Sequence, residues 1–274
     1  MRPIVISLLL VAFLAAGFPA PGLAAPAELT ATATYQKIFG PPPTVAKGTC
    51  YAMVGYLPLV SDSARVRPFP LFAFRRSGQL ELLVGKLIKF DRRIADRIGV
   101  MVPFPEGTQL QEIKHRGSEL RIYLQVPSDR EGDPAGMARS LANSAAQFAP
   151  KSRLQLYLNG KPVTVPASTV ADPGPPLLLA ARLGTAEDKA AQPELGFLFD
   201  RPVQVEHITL RGSGGEIPGE RFLGVFDMAV VVHPPIPAAV KLGDLVTAQW
   251  AVTDRLGRTG EGSQEFPVEA ATEP

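Results

Sequence analysis

The chain has 274 residues, 46% of them hydrophobic, so it is long enough for two folded domains and too apolar to be disordered throughout. Its 28 basic and 26 acidic residues are near balance, which gives no support for nucleic-acid binding. The single cysteine, Cys50, excludes an intrachain disulfide. We expect it to be a small buried residue, and the alternatives are a reactive thiol or an intermolecular bridge.

Residues 1–24 have the features of a secretory signal peptide. Arg2 supplies a positive start, Ile4–Ala16 forms an apolar run, and Gly22-Leu23-Ala24 offers small residues for cleavage. The run is too short to span a bilayer comfortably. We therefore predict an exported protein, in the periplasm or on the extracytoplasmic face of the envelope, with no transmembrane span after cleavage. An uncleaved membrane anchor is the alternative.

The next part of the chain is predicted to be a connector followed by two strands. Residues 25–48 contain Pro41-Pro42-Pro43 and little apolar periodicity, which predicts a Pro-rich, semi-rigid tether. Cys50–Val60 and Val66–Phe74 are rich in Val, Leu, Tyr and Phe, which favours strands.

A helix is predicted over Leu80–Ile98, because its apolar residues recur at spacings of three and four. Four basic residues flank this apolar stripe, and we call them the basic strip. It is either a contact surface for anionic lipid, an anionic polymer or an acidic partner, or a solvated face whose long stems cover the apolar edge. The basic strip consists of Lys86, Lys89, Arg93 and Arg97.

The stretch from 103 to 165 has the most regular pattern. Apolar and polar residues alternate over Glu119–Val126, as in a half-buried strand. Asp133 and Pro134 are typical of a helix start, and apolar residues at helical spacing extend that helix to Phe148. A strand then returns through Leu154–Leu158. Two turns frame the stretch: Pro105, Glu106, Gly107 and Thr108 form the first, and Asn159, Gly160, Lys161, Pro162 and Val163 form the second.

These motifs, in this order and with Gln147-Phe148 closing the helix, resemble the GerMN domain, also called the sporulation and spore germination domain. The resemblance covers residues 49–166. It implies a small α+β domain related to ring-building modules, found in secreted or membrane-tethered envelope proteins. It also implies that the domain has no known catalytic residues.

The second half is predicted to be all β. Residues 167–176 include Asp172-Pro173-Gly174-Pro175-Pro176, which breaks regular structure and predicts an interdomain linker. Few contacts should then cross it, and limited proteolysis should cut there first. Residues 177–270 carry short alternating strands separated by turns, with a change of phase near His207 that predicts a bulge. This spacing predicts an immunoglobulin-like β-sandwich.

Two stretches of this half are similar to the sandwich of CopC-type copper-resistance proteins. They are Gly196–Val203 and Trp250–Asp254, the latter followed by Gly260 and Phe266. The chain departs from that family at its metal-binding turn, where Thr253–Arg258 contains no histidine. The resemblance therefore implies the sandwich without the copper site.

The sequence contains no motif of a nucleophile elbow, a zinc protease, a Walker loop or a dinucleotide site. We predict no catalytic residues, no cofactor and no metal; an adventitious metal at His207 and His233 is the alternative to ordinary strand histidines. Trp250 is predicted to be a core residue rather than a stacking platform.

The sequence thus predicts an exported, non-enzymatic cell-envelope protein that acts as an assembly or binding module, with another envelope protein or an envelope polymer as its partner. The alternative is a periplasmic small-ligand or metal-handling protein whose site lies in the C-terminal β domain. The oligomeric state stays open.

A chain that lacks residues 1–24 should stay in the cytoplasm, because it has lost the segment that directs export. Fractionation followed by immunoblotting measures this, with the full chain as the control. Equal extracytoplasmic recovery of the two forms would show that the leader assignment is wrong.

Overall fold

The structure, a computed structural model, describes residues 28–43, 49–74, 77–129, 132–184, 194–233 and 240–270. It is mostly β with few helices. The predicted leader lies outside the described residues. Within those residues, no helix has the length and apolar character needed to cross a membrane.

The described residues of the first half form eight strands and four α-helices. The strands are β1 (Glu28–Ala31), β2 (Thr49–Pro58), β3 (Arg65–Ala73), β4 (Gln109–Arg116), β5 (Glu119–Gln125), β6 (Arg153–Leu158), β7 (Lys161–Val163) and β8 (Thr169–Val170). The helices are α1 (Ala33–Phe39), α2 (Gln79–Ile88), α3 (Arg92–Arg97) and α4 (Pro134–Ala145).

The second half contains strands and one short 3-10 turn, Val225–Asp227. The strands are β9 (Leu178–Gly184), β10 (Glu194–Phe199), β11 (Val203–Gly212), β12 (Gly215–Glu216), β13 (Glu220–Leu223), β14 (Ala229–His233), β15 (Leu245–Asp254) and β16 (Thr259–Ala270).

The segment predicted as a tether is part of the folded structure where it is described. β1 pairs in parallel with β2, and α1 buries Tyr35 and Phe39. Thr32 caps α1, because its hydroxyl accepts a hydrogen bond from the Tyr35 N–H at 3.1 Å. The tether prediction is wrong here because two large aromatic rings at helical spacing bury enough apolar surface to hold a seven-residue helix in place.

The first sheet has the order β1-β2-β3-β8, and α4 completes one of its edges. β1 pairs with β2 only as far as Ala52, and polar side chains of α4 and of Gln147, just after α4, take over beyond it. Gln147 acts as a surrogate strand: its amide oxygen accepts from the Val54 N–H at 3.0 Å and its amide nitrogen donates to the Val54 carbonyl at 2.7 Å. Ser140 donates to the Tyr56 carbonyl, and Ser144 accepts from the Tyr56 N–H.

The second sheet has the order β4-β5-β6-β7. It includes the hairpin and the returning strand predicted from the sequence, and the predicted helix, α4, connects β5 to β6. Asp133 caps α4 by accepting from the Gly136 N–H at 2.9 Å, with Pro134 as the first helical residue. β6 returns parallel to β5, as a strand that follows a crossover helix does.

The single helix predicted over 80–98 is wrong, because the structure has two helices there. α2 ends at Ile88, and Asp91 starts α3 by accepting from the Arg93 N–H at 2.9 Å. Phe90 leaves the helical path between them and lies 4.6 Å from the Phe69 ring, centre to centre. A local cap and an aromatic contact thus outweigh the continuous apolar spacing.

The strands of the second half follow the order β12-β11-β15-β16-β9-β10-β14-β13. β16 joins two groups of strands, since its first part pairs antiparallel with β15 and its last residues pair in parallel with β9. The buried core between the groups includes Phe197, Phe199 and Phe266. The predicted bulge is confirmed, because the pairing of β11 with β15 shifts between Val205 and His207.

Replacing Ser144 by Ala should lower the free energy of unfolding by about 1–3 kcal/mol, because the buried Tyr56 N–H loses its acceptor. Urea unfolding followed by circular dichroism measures this. Ser152→Ala, at a half-buried serine beyond α4, is the control and should change stability by less than about 0.5 kcal/mol. Equal effects of the two changes would contradict the role of α4 as the edge of the first sheet.

Candidate functional site

The most organised polar cluster in the described residues surrounds Arg201, where β10 turns into β11. The side chain of Arg201 is 1% exposed. Its guanidinium binds the neighbouring Asp200 through two bonds, with Nε 3.1 Å from Oδ1 and Nη2 2.7 Å from Oδ2. Nη1 lies 3.4 Å from Asp254 Oδ2. A guanidinium in this environment is neutralised by two carboxylates that are themselves buried.

The two carboxylates are also held by the backbone. Asp200 accepts from the Leu177 N–H at 3.0 Å, and Asp254 accepts from the N–H groups of Leu256 and Arg258 at 2.9 and 3.0 Å. These contacts fix the orientation of both carboxylates toward the guanidinium.

The predicted linker is bound by the same cluster. Arg201 donates to the carbonyls of Pro173 and Gly174 at 3.0 and 2.8 Å. Arg67 of β3 donates to the Pro173 carbonyl at 2.7 Å and lies 3.5 Å from Asp200. Burial lowers the pKa of Arg67, although Asp200 opposes the shift. The expectation that few contacts cross 167–176 is therefore wrong, because this segment supplies the carbonyl acceptors of a buried arginine.

The N-terminal helix is attached to the cluster from the other side. Arg258 bonds Asp254 at 2.6 Å and donates to the Ile38 carbonyl at the end of α1 at 2.8 Å. The Arg201 guanidinium lies over the Phe39 ring, 5.8 Å from its centre. We call the set Arg67, Asp200, Arg201, Asp254 and Arg258 the arginine clamp. It connects α1, β3, the linker and the second half of the chain.

A second contact between the halves is aromatic. Phe226 stacks on Phe72 and on Phe74 of the β3 end, with ring centres 4.3 and 5.3 Å away. Phe226 and Asp227 have φ values of 60° and 54°, which L-residues rarely adopt and which cost about 1–3 kcal/mol each. Asp227 also pairs with Arg255. The stack and the ion pair offset this strain.

The basic strip is divided: Lys86 and Lys89 lie near the end of α2, whereas Arg93 and Arg97 contact the second half of the chain. Lys86 lies on α2, and Lys89 is exposed just after it. Arg93 pairs with Glu269 of β16 at 3.3 Å, and the Arg97 guanidinium lies 5.1 Å from the centre of the Phe266 ring. The strip is thus not one row on one helix. Two of its members contact the second half of this same chain, because α3 turns away from α2 at Asp91.

The first motif turn serves local structure. The Thr108 hydroxyl donates to the Pro105 carbonyl at 2.6 Å, and Gly107 has a φ of 89°. Gly107 faces Pro127 so closely that an added Cβ would lie 3.1 Å from its ring. Glu106 is exposed at the turn.

The second motif turn does more than reverse the chain. Asn159 and Gly160 have φ values of 50° and 79°, as a two-residue hairpin turn requires, and Lys161 and Pro162 begin β7. The Asn159 side chain then bonds both backbone groups of Val126, accepting from its N–H at 2.8 Å and donating to its carbonyl at 2.9 Å. It continues the pairing of β5 and β6 beyond the last residue of β5.

Other single residues have ordinary environments. Cys50 is fully buried, and burial raises the pKa of its thiol, so the packing role predicted for it fits the structure. Trp250 is buried against Phe266. His207 bonds the Thr209 hydroxyl at 2.9 Å. Among the described residues, no group of three or more His, Cys, Asp and Glu side chains could hold a metal ion.

The arginine clamp was missed by the sequence analysis. Its members come from three separate parts of the chain, around residues 67, 200 and 254, and no local pattern shows that these parts meet. A signal was present at Asp200-Arg201, a charged pair between the apolar ends of two strands, which indicates charges that must be buried and paired. In the arginine clamp, the charge of each carboxylate is compensated by an arginine of the same cluster. This arrangement is suited to holding the two halves of the chain together.

No family model matches the chain, and no curated protein matches it. Among solved structures, it is similar to the tandem GerMN domains of the sporulation protein GerM from Bacillus subtilis, with 13% identity and a TM-score of 0.33. That match covers 70% of this chain and 63% of the GerM chain. It is also similar to CopC from Methylosinus trichosporium OB3b, with 18% identity, a TM-score of 0.22, and 35% of this chain and 90% of the CopC chain covered. These proteins are of the same two kinds that the sequence motifs resemble.

Replacing Arg201 by Met should cost about 3–5 kcal/mol of stability, because two buried carboxylates lose their counterion and two carbonyls lose their donor. Urea unfolding measures the loss, and trypsin cleavage within 167–184 should become faster. Arg211→Met removes an exposed arginine of β11 and is the matched control. Equal stability of the two variants would contradict the clamp.

Replacing Asn159 by Gly should cost about 1–2 kcal/mol, because glycine tolerates the turn but leaves Val126 without its partners. The control is Gly117→Asn in the β4–β5 turn, where φ is 61° and an added Cβ meets no neighbouring atom, so its cost should be smaller. Thermal unfolding compares the two. A loss for Asn159→Gly below that of the control would show that Asn159 serves only the turn.

Proposed function

We propose that this protein is an exported, non-enzymatic module of the cell envelope that binds another envelope component with its two domains held as one unit. The arginine clamp carries the proposal. Two buried carboxylates bind a buried guanidinium, which also binds the linker. Groups that are costly to bury when unpaired therefore support a fixed relative position of the domains. A fixed arrangement of this kind favours a protein that binds its partner through one rigid surface.

We further propose the division suggested by the motifs: a GerMN-like α+β domain over 49–166 and an immunoglobulin-like sandwich over 177–270. The parallel β5–β6 pair with its crossover helix supports the first. The position of β16 supports the second, because this strand pairs in parallel with β9, the first strand of that domain, and antiparallel with β15. The core then lies between two groups of strands.

The metal-handling alternative places its site in the second half. The described residues offer no cluster of metal ligands there, and no observation favours this function. Elemental analysis of purified mature protein measures it directly. Stoichiometric copper or zinc would favour the alternative over a binding module.

The proposed function is tested by chemical crosslinking in intact cells that produce the full chain. Discrete adducts with envelope components should form, and they should decrease for Arg201→Met under conditions where that variant is still folded. Arg211→Met should retain them. A chain that forms no adduct, or that is recovered only from the cytoplasm, would contradict the proposal.

A further inference from the structure

The outward face of the sheet β4-β5-β6-β7 carries an ordered row of aromatic and basic side chains. Leu120, Ile122 and Leu124 of β5 point to the core, so the alternate residues point outward. Tyr123 pairs with Tyr157 in the parallel register, and their rings stack with centres 4.6 Å apart. The Lys114 ammonium lies 5.7 Å from the centre of the Tyr123 ring.

Basic side chains outnumber acidic ones on this face. Glu119 of β5 lies between Arg116 of β4 and Arg153 of β6 in the strand register. Its carboxylate instead binds Arg121, at 3.0 Å from Nε and 2.6 Å from Nη2. Lys114 pairs with Glu112 at 2.6 Å. Arg116 and Arg153 are exposed, and neither has an ion pair in the described part of the chain.

The side chains of this row are also preorganised for binding by contacts within the protein. Tyr123 and Tyr157 are held by stacking and by their strands, and Arg121 is fixed by Glu119. Ordering side chains on binding costs about 0.5–1.5 kcal/mol each, so side chains that are already fixed reduce this cost. Tyr and Arg are the residue types that contribute most to protein interfaces, and a pleated face is flat, whereas small ligands need a concave site.

We propose that this outward face docks a protein surface rich in Asp and Glu. Charge complementarity decides the choice, because Arg116 and Arg153, which have no ion pair among the described residues, lie on either side of Glu119 at one end of the tyrosine pair. Guanidiniums bind carboxylates through paired hydrogen bonds. The inference rests on the proposed binding function and names the surface that performs it. Acidic glycans and anionic membranes are the competing occupants that the test separates.

The first experiment uses a photo-crosslinking amino acid in the full chain in intact cells. It replaces Gln155, on the outward face beside Arg121, or Gln249 on β15 as the control. An adduct at position 155 should form and should disappear when Arg116→Gln and Arg153→Gln are added. Adducts at position 249 but none at position 155 would overturn the proposal for this surface, whereas the proposed binding function would remain supported. A chain that forms no adduct at either position and none by chemical crosslinking would overturn both.

The second experiment measures purified protein against poly-L-glutamate at low ionic strength. The Arg116→Gln/Arg153→Gln pair should weaken binding about tenfold, and Tyr157→Ala should weaken it several-fold. Arg211→Gln/Lys241→Gln removes the same charge elsewhere and should change binding less than about twofold. Unfolding midpoints confirm that all variants are folded. Equal loss in the control pair, no binding to poly-L-glutamate, or tighter binding to polygalacturonate or phosphatidylglycerol vesicles would overturn the proposal.

Discussion

Burying the guanidinium of Arg201 is the constraint on which the arrangement of this molecule depends. Taking such a group out of water costs several kcal/mol, and the cost is offset only if its donors find acceptors in good geometry. Asp200 and Asp254 supply charge, and Pro173 and Gly174 supply carbonyls. These acceptors come from the linker, from the turn after β10 and from the end of β15. If any of these parts moved away, the buried guanidinium would lose one of its acceptors.

The aromatic contact between the halves works on a different principle. Phe226 adopts an unfavourable backbone conformation, and in that conformation its ring stacks on Phe72 and Phe74. The gain is burial and stacking of large rings, which is insensitive to salt, whereas the exposed Arg93–Glu269 pair is screened by it. The two halves are therefore joined by contacts of three kinds, and each responds differently to solution conditions.

Sequence patterns predicted the parts of this fold that local rules govern. The alternation in β5, the Asp133-Pro134 start of α4 and the Asn159-Gly160 turn each depend on neighbouring residues, and each was predicted. The patterns failed where distant residues decide the outcome. Pro173 is typical of a flexible linker until Arg201 binds its carbonyl, and the helical spacing across 80–98 does not show that Asp91 will start a new helix. The outward tyrosine pair became visible only with the register of β5 and β6.

Because β16 lies between β15 and β9, the sheet of the second half cannot form fully until β16 has joined it. β16 follows β15 in the chain, yet it lies between β15 and β9 in the sheet and gives Glu269 to Arg93. Val268 pairs with Ala181, 87 positions earlier, so a long loop must close before the sheet is continuous, and such closures make folding slow. Until β16 joins the sheet, β15 pairs with β11 and β9 with β10, and each has one open edge. An intermediate without β16 therefore exposes two strand edges to which another chain or a chaperone can bind.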